Sequence, residues 1–393
     1  MGEFITHTTT AELERRWAAT RAAMKDAGLD AIVCQGRDDW LGGYVRWFTD
    51  VWAVNGYPRT VIFYADRPMT VVEMGPFDGR VDVVDDDPIN RGVARMLSTP
   101  SFFSVGYSPR YDAELVAGDL KENGATNVGL LTPDGLPSSL VRGIEDLDGV
   151  KVSDATDMVD LIKAVKSPEE LGQVRACCVI QDQIFEAVCN FIKPGQRHID
   201  VINHAQDVAH QLGSDNGLFL GSSAPMGMSA RFKSRQKQGG VIEKGEHFSI
   251  LVEVNGPGSM YAEVARTIVL GKATNELKDH FQNVKEAQDH TLSLIKPGAD
   301  PAEIARAHDD WMKARGLPPE RRLYAHGQGY DLVERPLIRA DETMKLAANM
   351  NLAVHPGYDD GTVFAVICDN YLVTETGVSD CLHETPKQIF EID

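Results

Sequence analysis

Five polar side chains stand in stretches that otherwise read as buried strands. Glu253 sits in ILVEVNG, Glu263 in YAEVART and His355 in LAVHPGY; Cys368, with Asp369 beside it, sits in AVICDNY. His326 lies in YAHGQGYDLVERP, which runs from Tyr324 to Pro336. An unpaired charge on a buried strand costs several kcal/mol. One such residue could face solvent or pair with a base such as Arg266. Five of them are better explained by a shared polar cleft. A carboxyl raised by burial and an imidazole near neutrality form an acid–base set that can activate water and protonate a leaving nitrogen. Glutamate, histidine and cysteine are also ligand types that a borderline cation such as Zn²⁺ accepts.

The elements that must position these residues fall into two halves. The chain has 393 residues, too many for most single cores, so two domains are expected. Residues 11–27 carry Leu13, Trp17 and Met24 at helical spacing, with Gly28 as the stop. LDAIVCQG reads as a buried strand, RTVIFYADRPMTVVEMG as two strands around a turn at Asp66–Pro68, and NVGLL as a further strand. This alternation predicts an α/β domain over residues 1–160. SPEE at Ser167–Glu170 then carries a capping box with proline in the first turn, and opens a helix reaching about Phe191. Residues 161–393 form the second domain. Within it, FIKPGQRHIDVINHAQDVAHQLG is echoed by LIKPGADPAEIARAHDDWMKARG about a hundred residues later. Each copy leads into strand-like stretches, which predicts two similar halves around a pseudo-twofold axis. The fold class is α/β (α+β), with catalytic groups on sheet strands facing one cleft.

Composition sets limits on function. Hydrophobic residues make up 43% and charged residues 25%, a soluble globular profile. The net charge of −19 argues against nucleic acid or an anionic membrane as partner, since both need cationic surface. The N-terminal stretch MGEFITHTTTAELERRW shows no basic region followed by an apolar core, and no apolar run approaches spanning length. Six cysteines without CxxC pairs read as reduced thiols of a cytoplasmic protein.

DLIKAVKSPEELGQVRACCVIQDQIF, IKPG, KGEHFSILVEVNGPGSMYAEVARTIVLG and HGQGYDLVERP follow, in order, the landmarks of the pita-bread-fold proteins. The chain thus resembles the group containing Xaa-Pro aminopeptidases, prolidases, methionine aminopeptidases and creatinase. LERRWAATRAAMKDAGLDAIVCQGRDDWLGGYVRWFTD is similar to the N-terminal domain of the creatinase and prolidase branch. The resemblance implies an N-terminal creatinase-like domain and a C-terminal pita-bread catalytic domain. Peptidases of the group hold two cations with Asp, Asp, His, Glu and Glu. Carried over residue by residue, these positions fall on Glu253, Glu263, His326, His355 and Cys368. The loop SSAPMGMSARFKSRQKQ lacks the histidine that the peptidases use there, and Val333 stands at a second auxiliary histidine position. A divergent member without the usual five ligands is therefore expected.

The second Asp and the last Glu are the bridging acids of the peptidases, and Cys368 cannot bridge two hard cations such as Mn²⁺ in the same way. The leading expectation is a creatinase-like hydrolase that cleaves a non-peptide C–N bond of a small catabolic substrate. Glu253, Glu263, His326, His355 and Cys368 would be its catalytic residues, without a cofactor. The other arrangement is a single divalent cation such as Zn²⁺ held by Glu263, His326, His355 and Cys368. An Xaa-Pro dipeptidase or aminopeptidase with divergent ligands, a lyase in the same cleft, and a non-catalytic binding protein complete the alternatives. For substrate binding, Glu334, Arg335, Arg339 and Arg231 are the candidates, the arginines as carboxylate clamps. The resemblance further implies a homodimer in which Trp40, Tyr44 and Trp47 reach the partner's active site as an aromatic wall.

Overall fold

The computed structural model describes residues 8–37, 43–53, 55–84, 87–256 and 258–393. The chain divides into two compact units, Met1–Lys163 and Ala164–Asp393. No helix among the described residues is long and apolar enough to cross a membrane.

The first unit contains α1 (Thr10–Ala27), β1 (Ala31–Gly36), α2 (Gly43–Thr49), β2 (Arg59–Tyr64), β3 (Met69–Met74), β4 (Gly79–Asp82) and β5 (Val93–Thr99). It continues with α3 (Pro109–Glu122), β6 (Asn127–Leu130), α4 (Ser138–Glu145), β7 (Lys151–Asp154) and α5 (Thr156–Ala164). Its strands form one mixed sheet in the order β4-β5-β3-β2-β1-β6-β7. The expected first helix is present: the Thr9 side chain accepts from the Glu12 N–H, and Gly28 closes the helix at φ 68°. Val33, Ile62 and Val72 on the sheet pack against Val116, Leu120 and Leu140 on the helices.

The second unit opens with α6 (Pro168–Phe191), α7 (His198–Gln211), β8 (Gly217–Ala224), β9 (His247–Asn255) and β10 (Tyr261–Leu270). It repeats the plan with α8 (Asn275–Leu294), α9 (Pro301–Ala314), β11 (Ala325–Gly327), β12 (Glu334–Leu337) and β13 (Asn351–Val354). The hairpin β14 (Gly357–Asp359) and β15 (Phe364–Val366) follows, then β16 (Asp369–Leu372) and β17 (Phe390–Ile392). The capping box forms as expected: the Ser167 hydroxyl accepts from the Glu170 N–H, and the Glu170 carboxylate accepts from the Ser167 N–H.

The internal echo becomes two helix pairs on two sheets. β17-β10-β9-β8 is packed by Ile184, Val188, Val201 and Ile202 of α6 and α7, and β12-β11-β13-β16 by a cluster holding Ile295, Ile304, Leu352 and Val354. The sheets meet where Ala265 and Cys368 exchange backbone hydrogen bonds, each 3.3 Å long. This junction divides the last apolar stretch, TVFAVICDNYLVTE. Phe364–Val366 pairs in the hairpin, Asp369–Leu372 pairs with β13, and Cys368 between them pairs with β10. β13 likewise stops at Val354, because Pro356 has no N–H for a continuing ladder.

Candidate active site

Glu253 on β9 and Glu263 on β10 are directly paired across the two strands. Residues opposite each other in an antiparallel pair share a face, so both carboxyls point to the same side of the sheet. His326 lies in the middle of β11, and His355 follows the last residue of β13 on the neighbouring strand. The Cys368 thiol donates to Glu263 Oε1 at 2.9 Å. His355 Nε2 lies 3.3 Å from the same oxygen, and His326 Nε2 lies 3.9 Å from it. The two imidazoles are edge to face, 5.1 Å between centroids. The structure therefore gathers the other four residues around Glu263.

The hydrogen bonds fix the protonation pattern. His326 Nδ1 is 2.9 Å from the Gly327 carbonyl, which can only accept, so this nitrogen carries the hydrogen. Its Nε2 faces Glu263. His355 Nε2 is buried without a hydrogen-bond partner. Burial pulls the His355 pKa down to about 4, so the ring is neutral at pH 7. Burial, then the charge of Glu263, pushes Glu253 well above the usual carboxyl range. Burial opposes ionisation of Glu263 too. The neighbouring imidazoles, the Cys368 thiol and the Glu253 carboxyl outweigh it, and Glu263 lies below its ordinary value. Burial and Glu263 together keep Cys368 a thiol. One carboxylate thus carries the charge, and its paired carboxyl keeps a proton.

A buried amide network holds this pair, and the sequence reading missed it. Gln328 Nε2 donates to Glu253 Oε1 at 2.9 Å. Asn370 Nδ2 donates to Gln328 Oε1 at 2.9 Å, and Asn370 Oδ1 accepts from the Glu263 N–H at 2.8 Å. Asn351 Nδ2 donates to the Gln328 carbonyl at 3.1 Å. All three amides are essentially inaccessible to solvent. Their signal was available, because Gln328 lies inside HGQGY and Asn370 inside CDNY, polar residues in apolar surroundings like the five already singled out.

The side chains expected to bind substrate are engaged elsewhere. Glu334 is buried and accepts from Lys166 Nζ at 2.8 Å. Arg335 pairs with Glu342, Arg339 with Asp341 and Arg231 with Asp359. In the first unit, Trp47 is fully buried against Phe48, and a core side chain of this kind offers no surface to a ligand. The Tyr44 hydroxyl donates to Asp160 at 2.5 Å. Trp40 lies outside the described residues.

Ligand atoms of Glu263, His326 and His355 all lie within 4.8 Å of one another, so the expectation of a site without metal gains nothing from this geometry. A second group, Asp369, Cys381 and His383, is equally close. There the buried Arg266 guanidinium already neutralises Asp369, at 2.6 Å, and His383 Nε2 is bonded to Gln181.

Comparison with known proteins supplies the remaining context. A family model described as metallopeptidase family M24 matches residues 172–375, just over half of the chain. A curated relative, the probable dipeptidase PepE of Mycobacterium bovis, is 26% identical over 276 residues, covering 66% of this chain and 70% of its own. Dipeptidase PepE from Mycobacterium ulcerans has a solved structure with a TM-score of 0.77 at 21% identity, covering 98% of this chain and 99% of that one. The Xaa-Pro dipeptidase from Bacillus anthracis gives 0.75 at 20% identity, covering 97% and 100%. The two structural matches establish the pita-bread fold. The names of the relatives overturn the expectation of a creatinase-like hydrolase of a non-peptide C–N bond, for these proteins are dipeptidases.

Proposed function

This chain belongs to metallopeptidase family M24, and on that premise we propose that it is a metal-dependent peptidase of dipeptides, Xaa-Pro dipeptides among them, with altered metal ligands. The observation that carries the reading is the convergence of Glu263, His326 and His355 around one point. The donor set fits one borderline divalent cation. It offers a carboxylate oxygen, the Nε2 atom of the His326 ring whose Nδ1 is held by the Gly327 carbonyl, and an orphaned buried imidazole nitrogen. Cys368, hydrogen-bonded to the same carboxylate, would be a fourth ligand of matching softness.

When bound, the cation supplies a Lewis acid for a peptide carbonyl and acidifies water. The chain's own residues supply the rest. Gln328 occupies Glu253 Oε1 with a donor, so the Glu253 proton sits on Oε2. A neutral carboxyl held in this way can protonate the departing amine nitrogen. Glu263 keeps its charge beside both imidazoles. The amides of Gln328, Asn351 and Asn370 fix the two carboxyls without adding charge.

The test combines metal quantification with a dipeptide panel. One equivalent of Zn²⁺, Co²⁺ or Mn²⁺ per chain should support cleavage, and Glu263→Gln and His355→Ala should each lose both the cation and turnover. Two tightly held cations per chain would contradict the altered ligand set. Cleavage that survives chelation and both substitutions would remove the reading altogether.

A further inference from the structure

A cavity of about 500 Å³ lies between α9, the segment Glu320–Tyr324 and the turn after β12, and none of the five active-site residues lines it. Its walls carry Arg306, Arg321, Arg322 and Arg339 against Asp309, Glu320 and Asp341. Four guanidinium groups face three carboxylates, in a chain whose net charge is −19. Two of those acids pair with two of the arginines, which leaves Arg306 and Arg321 against Asp309. Glu320 accepts from Arg322 Nη2 at 2.9 Å and Asp341 from Arg339 at 3.0 Å. Asp309 accepts the Glu320 N–H at 3.1 Å. The side chains of Arg306 and Arg321, both at the exposed rim of the cavity, have no ion-pair or hydrogen-bond partner among the described residues. Concave walls with unpaired guanidinium forks match an oxyanion that can accept several parallel N–H bonds.

The cavity also touches the active site through the backbone. Arg322 Nη2 donates to the His355 carbonyl at 3.2 Å, and Glu320 Oε2 accepts the Gly357 N–H at 3.3 Å. The Glu320–Arg322 pair therefore clamps both ends of His355-Pro356-Gly357, the segment that presents the His355 ring. An anion that draws Arg322 towards itself competes with the His355 carbonyl for the same N–H groups.

We propose that this cavity is a regulatory binding site for a small oxyanion, a phosphate or a dicarboxylate, linked through Arg322 to the segment bearing His355. The binding site stands whether or not the dipeptidase reading holds. Binding is therefore read directly, by calorimetry on the full chain at low ionic strength, with inorganic phosphate and malonate as probes and chloride at matched ionic strength as control. One site per chain with a dissociation constant below about 1 mM is expected for at least one probe. Arg306→Gln/Arg321→Gln should weaken it at least about tenfold. Arg80→Gln/Arg110→Gln, the same charge change in the first unit, should leave it unchanged. No saturable binding, equal binding of chloride, or equal weakening in both variants overturns the site. Hydrogen exchange over residues 355–358 should rise with the bound probe in the wild type but not in the cavity variant. Unchanged exchange in the wild type overturns the link to His355.

Discussion

Asp369→Asn should destabilise the second unit far more than its small change in shape suggests. Arg266 and Asp369 are both fully buried, with Nη2 and Oδ1 2.6 Å apart. The guanidinium also donates to the carbonyls of Ala265, Cys368, Thr385 and Pro386, so it cannot leave for solvent without breaking the junction between the sheets. The asparagine keeps the volume and removes the charge. What remains is a buried cation with only carbonyl dipoles to face, and breaking such a pair costs about 3–5 kcal/mol. For a unit of this size, each kcal/mol lowers the melting temperature by roughly 2–4 °C, so a fall of about 6–20 °C is expected. Denaturant unfolding followed by circular dichroism measures the loss. Replacing both partners, Arg266→Met with Asp369→Leu, should recover much of it, because no charge is then stranded. A loss below about 1 kcal/mol in Asp369→Asn would refute the reasoning. It would mean that the charge is not a structural requirement of the strand junction beside Cys368.

The other predictions concern protons, space and ligands. His308 is fully buried, stacks on Tyr324 and has its pKa pulled down by burial to about 4. Its unfolded form binds more protons between pH 6.5 and 4, so stability falls by roughly 3 kcal/mol as pH drops through that window; His308→Leu should flatten this slope in pH-dependent unfolding. Asp112 has the opposite sign: it is buried, with its pKa raised by burial from 3.8 to about 6. Its penalty grows as pH rises through that window, so Asp112→Asn should raise stability at pH 7 by up to about 3 kcal/mol and leave it unchanged below pH 4. A Cβ on Gly327 would lie 2.4 Å from the Arg335 carbonyl oxygen. Gly327→Ala should therefore push β12 away from β11 and abolish turnover, with a lowered melting temperature as the check. His326→Ala should release the cation at least about tenfold more readily while leaving the melting temperature of the metal-free chain within a few degrees.

Most of the architecture was legible because it rests on local rules. The helix at Thr10–Ala27, the capping box at Ser167 and four of the seven strands described in the first unit, β1, β2, β3 and β6, follow from periodicity, caps and turns, whereas β4, β5 and β7 carry no such signal. The clustering of Glu253, Glu263, His326, His355 and Cys368 was legible for another reason: polar side chains on buried strands had to meet partners, and they meet one another. Two kinds of information were missing. The break at Cys368 is invisible in an unbroken apolar run, because it is imposed by pairing with Ala265, about a hundred residues earlier. Local spacing does not reveal which carboxylate an arginine will find. Arg335, Arg339 and Arg231 looked like substrate clamps and are held by Glu342, Asp341 and Asp359. Trp47 was read as an aromatic wall, yet nothing in its neighbours' types separates a wall from a core.

The charge of the active site bears on how many cations it accepts. Without a cation, Glu253 is a neutral carboxyl, Cys368 a thiol and the His355 ring uncharged; bound cations would ionise at most Glu253, Glu263 and Cys368 of these residues. Two divalent cations roughly 3.5–4 Å apart repel one another strongly in a buried cleft and need several carboxylates between them. Here the amides of Gln328, Asn351 and Asn370 occupy the surroundings of the acids, and amides fix geometry without offsetting charge. One cation needs less. Glu263 and an ionised Cys368 together balance a single divalent ion, and two neutral imidazoles complete four ligands. On the proposed function, a carboxylate, two imidazoles and a thiol are, by charge and by softness, a centre for one cation.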